Sequence, residues 1–146
     1  KVEYPFNINS RNMKQFYMLL CLIIICPIGC DIADSKGVIK LVTVEEFKEL
    51  DALRDVQLLD IRTPEEYKSG YIEGYGNMDY LSDTFKEEME TLDKSKPIVI
   101  YCRSGGRSGR CATLMLEIGF KEIYDLEGGI IQWKAENNPV IVNSEN

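Results

Sequence analysis

Cys102-Arg103-Ser104-Gly105-Gly106-Arg107-Ser108 is the segment of this 146-residue chain whose residue types and spacing could do chemistry. Two glycines after a cysteine let the backbone curl so that successive amides point inward as an anion-binding nest. Arg103, Arg107 and Arg110 concentrate cationic charge within nine residues. Each of these features favours a thiolate over a thiol. Together they lower a cysteine pKa from about 8.5 toward or below neutrality, and they favour an anionic substrate as well. A cysteine so activated is nucleophilic without an imidazole, and this chain has no histidine at all. That absence removes Ser/His and Cys/His nucleophile pairs, His-ligated zinc and imidazole acid–base work. The competing reading is an inert structural cysteine at a strand end, which the flanking arginines and glycines disfavour.

Such a loop needs a strand before it and a helix behind it. Pro97-Ile98-Val99-Ile100-Tyr101 has the pattern of a central strand buried on both faces. Cys102 then falls at its carboxyl end, where sites form in open parallel sheets. Cys111, Leu114, Met115 and Ile118 mark the inner face of a following helix that stops at Gly119. The N-terminal partial charge of that helix adds to the same spot.

The rest of the chain alternates in the same way. Val38–Leu41 reads as a short strand, and Thr43-Val44-Glu45-Glu46 as a capping box opening a helix with Val44, Phe47, Leu50 and Leu53 inward. Val56–Asp60 is the next strand. Thr63-Pro64-Glu65-Glu66 is a second box, with proline at the first helical position. Phe85–Leu92 reads as a helix, Ile123–Leu126 as the last strand and Gly129–Glu136 as the last helix. The expected fold class is α/β, a single domain over residues 38–146 with a mainly parallel central sheet flanked by helices.

Composition narrows the function. The chain is 45% apolar and 28% charged, as globular proteins are. Its net charge is −7, and residues 31–146 carry −9 of it against +2 in the first thirty. A domain that acidic is poorly suited to nucleic-acid backbones. Of the five cysteines, Cys21, Cys26 and Cys30 lie near the N-terminus, leaving only Cys102 and Cys111 in the folded part. That is neither a disulfide framework nor a paired metal motif, so no metal and no cofactor are expected.

Several motifs now fall into one order. Asp60-Ile61-Arg62 with Glu66-Tyr67, then Gly70-Tyr71-Ile72-Glu73-Gly74 and Asn77, resembles the D-x-R…E-Y…G-H-I-x-G-A-x-N signature of rhodanese-like sulfurtransferases. Cys102 to Ser108 is similar to that family's C-R-S-G-x-R-S loop. Gly119-Phe120 and Leu126-Glu127-Gly128-Gly129-Ile130 with Trp133 resemble its G-F…L-x-G-G-I-x-x-W ending. The resemblance implies a single rhodanese domain whose Cys102 takes up sulfane sulfur as a persulfide and passes it on. Arg103, Ser104, Gly105, Gly106 and Arg107 would cradle that persulfide through their backbone amides. Asp60 and Arg62 would be mainly structural, fixing a loop beside the site. Tyr71 replaces the family's histidine and Tyr75 its alanine, which bears on the packing of residues 70–77. Cys111 reads as a small buried hydrophobe rather than a resolving thiol. The implied partners are a small anionic, thiosulfate-like donor and a thiophilic acceptor such as a thioredoxin-like or other thiol protein, with the domain a monomer. Two alternatives stay open: a non-catalytic or sulfur-relay module, and a Cys-dependent phosphatase. The latter would need C-x5-R, but Ser108 stands at that position and Arg107 makes the loop C-x4-R.

The N-terminal region carries a separate expectation. Phe16 to Cys26 is eleven consecutive apolar residues behind Lys14, too short to cross a bilayer core of roughly 30 Å. It fits a secretory signal over 13–29, with residues 1–12 an upstream extension. Pro27-Ile28-Gly29-Cys30 resembles a bacterial lipobox, which implies acylation of Cys30, a tether over 30–37 and an exported, periplasmic or cell-surface lipoprotein held at the membrane.

Overall fold

Ile98, Val99 and Ile100 have no polar side-chain atom to satisfy when buried and the Tyr101 hydroxyl accepts from the Ile72 amide at 3.1 Å, so these four residues form the middle strand of the sheet. The computed structural model describes residues 37–52 and 55–142. The expected signal, the lipid-anchor Cys30, the tether up to residue 36 and the helix residue Leu53 lie outside them. Five strands, β1 (Val38–Val42), β2 (Gln57–Asp60), β3 (Gly76–Asn77), β4 (Ile98–Tyr101) and β5 (Glu122–Leu126), are arranged β1-β5-β4-β2-β3. All the pairings are parallel. Parallel neighbours need crossovers, and helices supply them: α1 (Val44–Asp51), α2 (Pro64–Lys68), α3 (Phe85–Met89) and α4 (Gly106–Glu117), with α5 (Gly129–Ala135) following the last strand. The α/β expectation holds.

Side-chain alternation along the strands builds two apolar layers. Ile98 and Ile100 meet Phe85 and Met89 of α3 and Cys111, Ala112 and Met115 of α4 on one face. Val99 and Tyr101 meet Val44 and Phe47 of α1 and Ile130 and Trp133 of α5 on the other. All four β4 residues are fully buried. Each large side chain so buried stabilises the fold by roughly 1.5–3 kcal/mol. Tyr75 fills the second layer, its ring stacked on Phe47 at 5.3 Å and edge-on to Tyr101 at 5.2 Å. Tyr71 stacks on Tyr67 at 4.1 Å, so the two departures from the family pattern are absorbed as aromatic packing.

Both capping boxes form. Thr43 Oγ1 accepts from the Glu46 amide while the Thr43 amide donates to Glu46 Oε2, and Thr63 and Glu66 repeat the exchange. Two elements differ from expectation. α3 stops at Met89 instead of Leu92, because the Thr91 and Leu92 amides close tighter three-residue turns onto Glu88 and Met89. β3 had no sequence signal; two residues cannot show a period, and they pair with Leu59 and Asp60 only because the chain returns there.

Since every strand runs the same way, all five carboxyl ends open on one edge. Asp60, Asn77, Tyr101 and Leu126 end their strands there, and Cys102 follows Tyr101 directly.

Candidate active site

Cys102 leaves β4 at 1% exposure and its sulfur faces back into the loop that follows. Gly105 takes a φ of +92° as the N-cap of α4, a conformation that costs other residues. Its amide thereby reaches Cys102 Sγ at 3.2 Å. The Ser108 hydroxyl, one turn into α4, lies 3.4 Å from the same sulfur and 3.1 Å from the Gly105 carbonyl oxygen. Burial pushes the Cys102 thiol up, but the Ser108 hydroxyl and the amides of Ser108, Ser104 and Arg107 outweigh it. The thiol ends below the ordinary cysteine value. The loop is built for a negatively charged sulfur.

The loop is also held from behind. The Ile130 amide donates to the Cys102 carbonyl at 3.0 Å and the Ile131 amide to that of Arg103 at 3.1 Å, so the start of α5 clamps the cysteine turn. This approach needs Gly129, at φ +58°, where a Cβ would fall 2.5 Å from the Cys102 carbonyl oxygen. The Ile130 and Ile131 amides therefore belong to the site's support.

The arginines are placed differently from the expected cationic cluster. Arg107 is clamped by Glu66, Nη1 to Oε2 at 2.6 Å and Nη2 to Oε1 at 2.7 Å, in a partly buried bidentate pair. Hydrogen bonding to Arg107 holds the Glu66 carboxyl below its usual range. The Arg110 guanidinium lies 5.9 Å over the Tyr80 ring, and Arg103 is exposed. Arg107 also acts on Cys102 through its charge and its side chain, so amide dipoles, a hydroxyl and one paired arginine polarise the sulfur. Of the five loop positions, Gly105 donates its amide to the sulfur at 3.2 Å, and the amides of Ser104 and Arg107 favour the charged form of Cys102.

Asp60 and Arg62 flank the site as a buried pair. Arg62 Nε lies 2.9 Å from both Asp60 oxygens, and its Nη2 donates to Asp60 Oδ2 at 2.5 Å and to the Gly70 carbonyl at 2.9 Å. Asn77 Nδ2 donates to the Asp60 and Arg62 carbonyls at 3.0 and 2.8 Å. These bonds fix the loop after β2 against the 70–77 turn. Cys111 is fully buried on α4, and burial, with the Asp125 and Cys102 charges adding, leaves its thiol pushed up to about 12.

Sequence reasoning overlooked Ser108 and Glu66 as site residues. Ser108 had a signal: it continues the buried stripe Ser108, Cys111, Ala112, Met115 back toward the loop, a polar residue at an apolar position. Glu66 had none beyond its place in the capping box, because its partner is 41 residues away. Among the described residues no group of three His, Cys, Asp or Glu side chains is placed to hold a metal ion, and no helix is long and apolar enough to cross a membrane.

The family model described as rhodanese-like domain matches residues 43–136. The chain is 35% identical over 99 residues to YqhL of Bacillus subtilis, covering 68% of this chain and 75% of that protein. It is 38% identical over 90 residues to the thiosulfate sulfurtransferase GlpE of Coxiella burnetii, covering 61% and 81% respectively. Against the tRNA uridine(34) hydroxylase of Acinetobacter baumannii it is 34% identical over 121 residues, 79% of this chain but only 38% of the hydroxylase. Among solved structures, a rhodanese-related protein from Thermoplasma volcanium superposes with a TM-score of 0.63 at 26% identity, over 71% of this chain and 99% of that one.

Proposed function

This chain belongs to the rhodanese-like family, and we propose that within it the protein is a sulfurtransferase. Cys102 would carry sulfane sulfur as a persulfide from a small anionic donor of the thiosulfate type to a thiophilic acceptor. The observation that supports this best is the ring of donors around a buried cysteine sulfur, which stabilises a thiolate without any general base beside it. The Cys102 thiolate attacks the outer sulfur of thiosulfate, and the bond from that sulfur to the sulfonate breaks. Sulfite leaves with the electron pair, and a persulfide anion remains on Cys102. An acceptor nucleophile, cyanide or a thiolate, then bonds the terminal sulfur, and the bond to Cys102 breaks to return the thiolate. Charge is conserved in both steps, so the site never needs to move a proton during transfer. What it must do is hold one negative charge, first on Sγ and then one sulfur further out, and inward-facing amides suit both. The relative GlpE, named a thiosulfate sulfurtransferase, is consistent with this substrate class. The C-x4-R spacing from Cys102 to Arg107 leaves a cradle sized for sulfur, one residue shorter than a phosphate loop requires.

Mass spectrometry after thiosulfate treatment should find one extra sulfur atom on Cys102. Cys102→Ser should lose both that adduct and thiosulfate:cyanide turnover while keeping the fold. Wild-type turnover of an aryl phosphate without any sulfur transfer would overturn the assignment. We propose separately that the domain is membrane-tethered through an acylated Cys30, on the strength of Lys14, the apolar run and Gly29-Cys30. Labelled fatty acid in a bacterial host should mark the full chain and be lost in Cys30→Ala; an unlabelled, wholly soluble wild type would refute it.

A further inference from the structure

Asp125 is a buried carboxylate that the transfer steps do not use. It stands on β5 at 3% exposure, in register between Leu41 of β1 and Ile100 of β4, both apolar. Its side chain points to the layer under α4, as does that of Ile123 two residues earlier. There it meets the first turns of α4: the Cβ position of Gly109 is 3.9 Å from Asp125 Oδ2, and the Asp125 charge acts on Cys111. Oδ1 has no hydrogen-bond partner among the described residues. An unpaired carboxylate oxygen in a dry layer costs free energy unless the group is neutral or has a use. Burial pushes this carboxyl up to about 6, with the Ser108 hydroxyl pulling the other way. The groups that could respond to it are Cys111 and Ser108 from α4 and, through Ser108, Cys102 at the end of β4. Arg107 of the same helix pairs with Glu66 and acts on Cys102 as well, while Arg110 lies over the Tyr80 ring.

Ser108 has one hydroxyl hydrogen, with Cys102 Sγ at 3.4 Å and the Gly105 carbonyl oxygen at 3.1 Å, and the same hydroxyl acts on the Asp125 carboxyl buried against this turn. We propose that Asp125 is a positioning residue of the sulfur site, which sets the charge on the Cys102 sulfur by competing for the Ser108 hydroxyl hydrogen. Ionised Asp125 draws that hydrogen toward itself and repels a second negative charge on the sulfur. Protonated Asp125 donates to Ser108 Oγ instead, and Ser108 gives its hydrogen to the sulfur. The two acids therefore titrate as a coupled pair, and the thiolate appears over a broad pH range rather than in one step. No bond other than those to hydrogen changes, and no redox partner is involved.

The proposal rests on Cys102 being the reactive thiol, but its test needs no sulfur donor. The rate of Cys102 alkylation by iodoacetamide is measured from pH 4 to 9 in wild type and in Asp125→Asn, whose amide copies the neutral acid. Asp125→Asn should give a single ionisation displaced to lower pH, with several-fold faster alkylation near pH 6. Superimposable profiles would overturn the proposal. In a Ser108→Ala background the Asp125→Asn effect should shrink; its persistence in full would show a through-space charge effect and refute the role of the hydroxyl. Cys111 remaining unlabelled verifies the fold, and Asp125→Ser serves as a second neutral variant if Asn is not accommodated. Failure of sulfur transfer with a shifted alkylation profile would remove the proposed activity and leave this inference standing.

Discussion

Gly106 and Gly129 open successive helices around the cysteine, yet alanine should have opposite effects at the two. At Gly129 a Cβ would meet the Cys102 carbonyl oxygen at 2.5 Å and the Arg103 carbonyl group at 2.8 Å, both backbone atoms that cannot swing aside. A φ of +58° adds about 1–2 kcal/mol for a residue with a side chain. Relief of the clash requires α5 and the cysteine turn to separate, which weakens the Ile130 and Ile131 amide bonds to the Cys102 and Arg103 carbonyls. At about 1 kcal/mol each, these bring the expected loss for Gly129→Ala to roughly 3–4 kcal/mol. Gly106 has no atom within 4 Å of its Cβ position and no left-handed φ. Alanine there should be neutral or stabilising by up to about 1 kcal/mol, as expected inside a helix. Urea denaturation measures both, and iodoacetamide labelling of Cys102 reads the loop. Gly129→Ala should unfold at clearly lower urea, with slower Cys102 labelling in the native range. Wild-type stability and wild-type labelling in Gly129→Ala would refute the reasoning that α5 clamps the cysteine turn.

Three further outcomes are expected. Asp60→Asn leaves the Arg62 guanidinium buried against a neutral amide, and should cost about 3–5 kcal/mol by chemical denaturation; a loss below about 1 kcal/mol would contradict a structural role for the pair. In the native protein Cys102 should alkylate well below pH 8 while Cys111, buried and pushed up to about 12, stays unmodified, so equal rates would remove the case for an activated sulfur. Asp125 is raised from 3.8 to about 6 on folding, so the unfolded chain loses this proton first. Stability should fall as pH rises from about 4 to 6, by up to about 3 kcal/mol from this residue. Asp125→Asn should match wild type near pH 4 and exceed it at pH 7, and a constant difference across that range would exclude the effect.

What the sequence determined by itself is whatever depends on neighbours along the chain. Thr43 and Thr63 cap their helices through a glutamate three residues on, a contact any helix start of that pattern can make. Pro97 to Tyr101 announces a central strand because an uninterrupted apolar run has nowhere else to be buried, and Cys102 to Ser108 carries in seven residues most of the groups that touch the sulfur. The order of the motifs then named the family. Tertiary structure decided the rest, wherever a partner is remote. β3 exists because β2 offers Leu59 and Asp60 to two residues with no strand pattern of their own. Arg107 is held in a bidentate ion pair because Glu66 is brought to it from 41 residues away, which fixes where its charge sits beside the sulfur. Gly129 meets the Cys102 carbonyl, and Asp125 comes to lie against the first turn of α4 at Gly109, only after β5 has paired beside β4. Periodicity tells which face of an element is buried; it does not tell which residue of another element will be buried against it.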